Sequence, residues 1–174
     1  MKHSCAPDAG RLAPRATWFR SPLPPGWPMR ELRFRIEQGR FAEVRFARAG
    51  SALPSLPEPW AGRLRRYFSG RREDLTRWPV VWPRVGPFLR KALEACRRIP
   101  GGARLTYGAL SRAAGRPRAA RAAASAMARN PLPLLIPCHR VVPVWGGTGA
   151  YGPGADLKRR LLALEGLTPS PATD

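Results

Sequence analysis

Apolar and polar residues first alternate in the segment that follows Met29. Every second residue is apolar on both sides of the turn-forming pair Gln38-Gly39, at Leu32, Phe34, Ile36, Ala42, Val44 and Phe46. This period of two predicts a β-hairpin with one buried face. Residues 1–28 contain six prolines and no apolar period, so we expect a disordered, Pro-rich tail and leave Met29 open as an alternative start.

Apolar residues at helical spacing begin after Pro59. A short helix follows that ends at Gly70 and carries Trp60, Leu64 and Phe68. A connector rich in Trp and Pro comes next, at residues 78–83, and we place a domain boundary between residues 82 and 83. Pro87 then begins a helix with its apolar face at Phe88, Leu89, Ala92, Leu93 and Cys96, and Pro100-Gly101-Gly102 ends it.

Three further helices are predicted in the last 70 residues. Thr106 can cap a helix that ends at Gly115, and a second one runs from about residue 118 to residue 129. Two short helices joined by a short link, here Arg116-Pro117, resemble a helix-turn-helix. Asp156 can cap a final helix that ends at Gly166 and carries Leu157, Leu161 and Leu164 on one face.

Together these patterns predict a protein of the α/β (α+β) class. A small N-terminal α/β domain with a β-hairpin occupies residues 29–82. A mostly helical domain, resembling a winged helix-turn-helix, occupies residues 83–167, and residues 168–174 form a second tail.

The charge balance favours a polyanionic partner, and nucleic acid is the commonest one. Lys and Arg number 31 against 11 Asp and Glu, which gives a formal net charge of +20. Only three of the cations are lysines, so a GC-rich coding sequence is an alternative origin of the arginines. No apolar run approaches the roughly 18 residues of a membrane helix, and no secretory signal is visible, so we expect a cytoplasmic or nucleoid location.

The cysteines indicate neither a disulfide framework nor a metal site. Cys5, Cys96 and Cys138 are widely spaced, and no CxxC motif is present. His3 lies near Cys5, but no second ligand pair follows, because His139 is the only other histidine. We therefore expect reduced thiols, no metal and no cofactor.

Cys138 and His139 are the strongest candidates for chemistry. An imidazole can accept a thiol proton and stabilise the resulting thiolate. Neighbours on a regular strand point to opposite faces, so direct cooperation requires an irregular backbone or a bridging water, and Pro137 favours a local turn. A bare Cys-His pair is more often structural than catalytic.

The sequence around this pair forms a recognisable motif. Residues 130–141, Asn-Pro-Leu-Pro-Leu-Leu-Ile-Pro-Cys-His-Arg-Val, closely resemble the active-site signature of the O6-alkylguanine-DNA alkyltransferases, also called methylated-DNA–protein-cysteine methyltransferases. The resemblance runs without an apparent gap from about Phe88 to Gly166. It includes Thr106-Tyr107, residues 119–122, 149–152 and 161–166. Residues 30–82 match the family's N-terminal domain in pattern only.

The resemblance implies a role for each matching residue. Cys138 is the nucleophile, His139 deprotonates it through a water and is polarised by Glu165, and Asn130 braces the turn before the active site. The substrate- and DNA-binding positions are Tyr107, Ala120, Arg121, Arg140, Val141, Tyr151, Gly152 and Lys158. Among these, Tyr107 assists nucleotide rotation, Arg121 fills the gap in the base stack, and the Val141 carbonyl accepts from the guanine amino group. Tyr151 lines the alkyl pocket.

Position 152 is a departure, because the family often has serine there. The role implied for it is a backbone N–H donated to guanine O6, which glycine keeps, so a looser pocket is the expected consequence.

The helix of residues 118–129 allows two interpretations. Seven alanines make it a good helix former that can pack tightly in a core. The same small side chains let a helix lie close in a DNA minor groove while Arg121 projects from it. Both can hold on opposite faces, with Arg116, Arg118 and Arg129 as phosphate contacts.

The function implied is DNA repair by a methylated-DNA–[protein]-cysteine S-methyltransferase. The enzyme moves an alkyl group from guanine O6, and also from thymine O4, to Cys138 in a single turnover that inactivates it. The implied partner is double-stranded DNA containing alkylated guanine, bound by a monomer without an obligate protein partner. Two alternatives remain: an alkyltransferase-like protein that binds lesions without transfer, although such proteins replace the cysteine, and a Cys-His hydrolase on an unrelated fold.

Overall fold

The computed structural model describes residues 16–167 of the chain. A three-stranded antiparallel sheet begins it, in the order β1 (Thr17–Pro22), β2 (Glu31–Glu37) and β3 (Arg40–Ala47). The predicted hairpin is confirmed. A register shift at Arg35/Ile36 pairs Ile36 with Phe41, and Phe41 is fully buried although the alternation predicted only Ala42 there. A β-bulge of this kind turns an extra side chain toward the core.

Strand β1 lies in the segment that the sequence analysis assigned to a disordered tail, so that prediction is wrong for residues 16–28. Its whole length pairs with β2, from Thr17 opposite Ile36 to Pro22 opposite Glu31. Only Ser21 of its six residues is buried, so the strand does not need alternating apolar residues, and its sequence shows none. Backbone pairing holds this edge strand in place instead. Residues 1–15, including His3 and Cys5, lie outside the described part, as does the predicted tail at 168–174.

Helix α1 (Trp60–Phe68) and the connector after it complete the N-terminal half. The helix ends at Ser69 and Gly70, whose φ of +81° favours glycine. Trp78 is fully buried, and its ring centroid lies 4.9 Å from that of Phe41 and 4.8 Å from that of Trp60. The connector therefore belongs to an aromatic core rather than to a solvent-exposed linker.

Four helices form the C-terminal half: α2 (Pro87–Arg97), α3 (Tyr107–Ala113), α4 (Ala120–Ala128) and α5 (Ala155–Leu164). The predicted Thr106 cap is confirmed, because its Oγ1 accepts a 3.0 Å bond from the Ala109 N–H. The predicted Asp156 cap is wrong. Helix α5 begins at Ala155 after Gly154, whose φ is +112°, and Asp156 lies in the first turn.

Two very short strands escaped the sequence analysis. β4 (Leu105–Thr106) and β5 (Val141–Val142) pair in parallel, with Leu105 opposite Val141. Strands of two residues carry no measurable periodicity, so the sequence cannot indicate them. Their pairing brings the start of α3 next to the end of the Cys138 segment.

The two halves share one continuous hydrophobic core. At the outer edge of the sheet, the Val44 N–H donates to the Pro131 carbonyl at 2.9 Å. The sheet thereby supports the buried segment that leads to Cys138. The domain boundary between residues 82 and 83 stays a prediction. Within residues 16–167, none of the helices is long and apolar enough to cross a membrane.

Candidate active site

Cys138 opens a buried 3₁₀ turn, Cys138–Arg140, that connects Pro137 to β5. The turn supplies the irregular backbone that the Pro137-Cys138 sequence favours. Cys138 is 5% exposed and borders a cavity of about 240 Å³. The remaining lining residues are Tyr107, Ala124, Met127, Ala128, Ala150, Tyr151 and Gly152. We call this space the Cys138 cavity; α3, α4 and the 150–152 loop enclose it.

Asn130 ties the segment between α4 and the turn to the cysteine. Its Nδ2 donates to the Ile136 carbonyl at 2.7 Å and to Cys138 Sγ at 3.1 Å. Its Oδ1 accepts from the Leu132 N–H at 3.0 Å. The geometry thus suits the bracing role and adds a donor aimed at the sulfur, which stabilises a thiolate.

His139 faces away from the cavity toward α5. Its Nε2 lies 3.1 Å from Oε1 of Glu165, while its Nδ1 is buried without a hydrogen-bond partner among residues 16–167. Burial lowers the pKa of His139 below its ordinary value, although the Glu165 carboxylate opposes that shift. The ring is therefore neutral near pH 7, so it can accept a proton.

Glu165 is held by more than the histidine. Arg140 donates to both carboxylate oxygens at 2.8 Å, and the hydroxyl of Tyr67 donates to Oε1 at 2.8 Å. Burial raises the pKa of Glu165, but hydrogen bonds from His139 and Arg140 outweigh it and hold the pKa well below the ordinary range. The carboxylate is charged throughout the neutral range.

Arg140 does not occupy the DNA-binding position assigned to it in the sequence analysis. The residue is 3% exposed, and its guanidinium bonds to Glu165 and, at 2.6 Å, to the Ile99 carbonyl. A buried guanidinium engaged in this way has no free face for a phosphate. Its position instead gives it a structural role at Glu165.

Lys158 is also turned inward. It is fully buried, and its Nζ donates to the Val141 carbonyl at 2.6 Å, the same carbonyl expected to receive the guanine amino group. Nζ lies 5.7 Å from the centre of the Tyr107 ring. Burial lowers the pKa of Lys158 to about 8. Lys158 does not line the Cys138 cavity, so its charge acts on the sulfur from behind the cavity, and its substrate-binding role stays a prediction.

The cysteine itself is a thiol at rest. Burial raises the pKa of Cys138 above its ordinary value, while the Asn130 hydrogen bond and the Lys158 charge oppose this shift. Formation of the nucleophile therefore has to be coupled to proton transfer. The neutral His139 is the nearby base suited to that task.

Helix α4 has the two faces that its alanines suggested. Ala123, Ala126 and Met127 are buried against the core. Ala120 and Arg121 are exposed at the first turn. Exposed arginines surround the helix at positions 116, 118 and 129. The exposed face of α4 therefore carries arginine and small side chains.

Comparison with known proteins agrees with this geometry. A family model described as "6-O-methylguanine DNA methyltransferase, DNA binding domain" matches residues 87–167. The methylated-DNA–protein-cysteine methyltransferase of Archaeoglobus fulgidus is 38% identical over 144 residues, which cover 79% of this chain and 95% of that protein. The chain belongs to the methylated-DNA–protein-cysteine methyltransferase family. Membership confirms the resemblance and the enzyme class that it implied.

Other relatives extend the comparison. The enzyme of the same name from Methanothermobacter thermautotrophicus is 46% identical over 119 residues, covering 68% of this chain and 66% of that protein. The crystal structure of Mycobacterium tuberculosis OGT in complex with DNA has a TM-score of 0.70 at 28% identity, covering 86% of this chain and 93% of that one. The expected α+β fold is thereby confirmed.

Tyr67 is a residue of this site that the sequence analysis missed. All twelve site residues named from the sequence lie within the range that the family model matches, whereas Tyr67 lies on α1, outside it. A tyrosine in an amphipathic helix gives no local signal of a polar partner, because its hydrogen bond joins positions 98 residues apart.

Proposed function

We propose that the chain repairs alkylated guanine in duplex DNA by transferring the alkyl group from O6 to Sγ of Cys138. The observation that carries the proposal is the place of the sulfur. It faces a small cavity beside Tyr107 and Tyr151, with Asn130 donating to it at 3.1 Å. A neutral histidine backed by a carboxylate adjoins it in sequence. A nucleophile, a base and a substrate-sized recess thus coincide.

The substrate has to reach the cavity as an extruded nucleotide. The O6 alkyl group of a paired guanine is inside the duplex, and the cavity lies behind the surface formed by α3 and α4. Exposed Arg121 at the start of α4 fills the gap in the stack, and the surrounding arginines hold phosphates of double-stranded DNA. The protein works as a monomer in this scheme.

The chemistry balances as one substitution at carbon. A bond forms between Cys138 Sγ and the alkyl carbon while the bond from that carbon to guanine O6 breaks. The electron pair of the broken bond stays on guanine. The thiol loses one proton and guanine N1 gains one, so the products are a thioether and an ordinary guanine. The same balance holds for O4-alkylthymine, which we include as a second substrate.

His139 moves the proton. Its Nε2 is engaged by Glu165, so the buried Nδ1 is the nitrogen that takes the thiol proton through a bridging water. The Glu165 carboxylate stabilises the imidazolium that forms. Lys158 lowers the energy of the thiolate from behind the cavity. On the substrate side, the Tyr107 hydroxyl and the Gly152 N–H assist the departing guanine.

The reaction stops after one turnover. A thioether carbon is a poor electrophile, and an acid–base relay does not activate it for hydrolysis. Each molecule therefore repairs one lesion and is then spent.

Intact-mass and peptide mass spectrometry test the proposal. After mixing with a duplex containing O6-methylguanine, the protein should gain one methyl group, located on the peptide that contains Cys138. Cys138→Ser should gain none and keep its affinity for the duplex, because a hydroxyl is similar in size but far less acidic than a thiol. Binding without mass gain in the unaltered protein would identify a lesion-binding protein. Repeated cleavage of a substrate would identify a hydrolase.

A further inference from the structure

A tight turn after β5 exposes two large hydrophobic side chains. The Gly146 N–H bonds to the Pro143 carbonyl at 3.4 Å, which puts Val144 and Trp145 at the tip. Trp145 is 82% exposed and Val144 54% exposed, and within residues 16–167 they are the exposed large hydrophobic residues. Tryptophan is highly buried on average in folded proteins, so an indole with this exposure is a candidate contact for a partner.

The base of this turn lies against the Cys138 cavity. A Cβ added at Gly149 would come within 2.9 Å of Pro143 Cγ and 3.6 Å of the Tyr107 hydroxyl. The chain therefore passes close to both Pro143 and Tyr107, and Tyr107 lines the cavity. Trp145 follows Pro143 by two residues, which limits their Cα separation to about 7 Å. The Trp145 backbone therefore lies close to the rim of the Cys138 cavity, and its indole is exposed there.

Two features of the backbone define the base of this turn. Gly149 has a φ of +64°, in the region that favours glycine, and the added Cβ described above would clash with the Pro143 ring. β5 anchors the other end through its pairing with β4. The turn is therefore a short projection with a defined root rather than a long loop.

We propose that Trp145 stacks on a nucleotide of the substrate DNA next to the extruded guanine and holds that strand against the mouth of the Cys138 cavity. The inference rests on the proposed function, because that function brings the strand with the extruded guanine to the mouth of this cavity. Exposed aromatic side chains bind bases through stacking that tolerates any sequence. The chain that follows this turn lines the Cys138 cavity at Ala150, Tyr151 and Gly152, which favours the DNA bound at that cavity over a protein as the occupant.

Rate constants on two substrates test this role. Trp145→Ala should lower the second-order rate constant for methyl transfer from a duplex by about tenfold, the effect of about 1.4 kcal/mol of lost stacking. Its reaction with free O6-alkylguanine base should change less than twofold. Trp145→Phe should restore most of the duplex rate, since a smaller ring still stacks. Val144→Ala is the matched control and should leave both rates unchanged.

A spectroscopic arm reports stacking directly. The duplex carries the fluorescent base 2-aminopurine beside the lesion, and the protein carries Cys138→Ser so that it cannot react. Fluorescence of the bound 2-aminopurine should be weaker with Trp145 than with Trp145→Ala. Equal brightness, or an equal loss of rate on duplex and free base, would overturn the proposal. So would a dimer in sedimentation velocity that Trp145→Ala dissociates, because a second copy would then cover the indole. Failure of the unaltered protein to gain a methyl group would refute the proposed function itself.

Discussion

The hydroxyl of Tyr67 donates a 2.8 Å hydrogen bond to Oε1 of Glu165, the oxygen that also lies 3.1 Å from Nε2 of His139. The bond links α1 of the N-terminal half to the end of α5. Burial, and then the negative charge of Glu165, raise the pKa of Tyr67 well above its ordinary value, so the group remains a donor. The N-terminal half therefore contributes directly to the Glu165–His139 pair that we propose activates Cys138.

Tyr67→Phe should change the pH dependence of transfer more than its rate at pH 7.5. Without this donor the carboxylate stabilises a charged His139 better, so the pKa of His139, lowered in the native protein, rises toward the ordinary 6.5. Transfer to Cys138 falls as pH falls through the histidine pKa, so the acid limb of the profile should move to higher pH. We also expect a loss of about 1 kcal/mol in the free energy of unfolding.

Single-turnover rates with free O6-alkylguanine between pH 4.5 and 7.5 measure the Tyr67→Phe effect without a contribution from DNA binding. Denaturant unfolding gives the stability. An acid limb that coincides with that of the unaltered protein would mean that Tyr67 only supports packing.

Glu165→Gln should slow transfer by about 100-fold, because the amide cannot stabilise a protonated His139. It should also destabilise the fold. Arg140, 3% exposed, would lose the carboxylate that pairs with it at 2.8 Å, and breaking a buried pair costs about 3–5 kcal/mol. Rates should be measured well below the melting temperature of the variant.

A matched control separates the two effects of Glu165→Gln. Leu32→Ala removes a fully buried side chain from β2, outside the relay, and should cost about 2–5 kcal/mol of stability. Its transfer rate at low temperature should equal that of the unaltered protein. If Glu165→Gln behaved the same way, the carboxylate would be a structural partner of Arg140 alone.

Lys158→Met should remove a pH dependence of stability. The pKa of Lys158 is about 8 in the folded protein and 10.5 as the ordinary value, so the folded state releases this proton first as pH rises. The lysine therefore contributes a stability that is present above pH 10.5 and lost as pH falls through about 8. The difference in unfolding free energy, native minus Lys158→Met, should grow by about 3 kcal/mol across that window.

Denaturant unfolding at pH 7.5 and pH 10 measures most of the change expected for Lys158. Lys91→Met, on the exposed side of α2, is the control and should show a constant difference. A constant difference for Lys158→Met as well would show that its buried ammonium costs nothing.

Most of the helices were predictable from local signals: α1, α2 and α3 have a Pro or Thr at the start, and a Gly follows the end of α1, α3 and α5. β1 was not, because its residues are held by backbone pairing with β2 while only Ser21 is buried. The same division holds in the site. The sequence motif around Cys138 indicated the nucleophile and the base. The burial of Arg140 and Lys158 depends instead on how α5 packs, which a short sequence motif does not specify.

Arg121→Ala should separate nucleotide extrusion from chemistry. Arg121 is exposed at the first turn of α4, so its side chain is free to enter a base stack. A residue that fills the space left by the target stabilises only the extruded state. A free alkylated base has nothing to extrude, so its reaction with Cys138 should not depend on Arg121. Extrusion costs a few kcal/mol, so repair of duplex DNA should slow by about 10- to 100-fold.

The test is the pair of second-order rate constants, duplex and free base, for three variants. Arg129→Ala changes an exposed arginine at the other end of α4 and controls for the loss of one charge. It should weaken duplex repair only slightly. Tyr107→Phe should slow both substrates, because the hydroxyl assists the departing guanine as well as the rotation. Equal losses on both substrates for Arg121→Ala would mean that Arg121 supports the fold or the cavity, and its intercalating role would have to be abandoned.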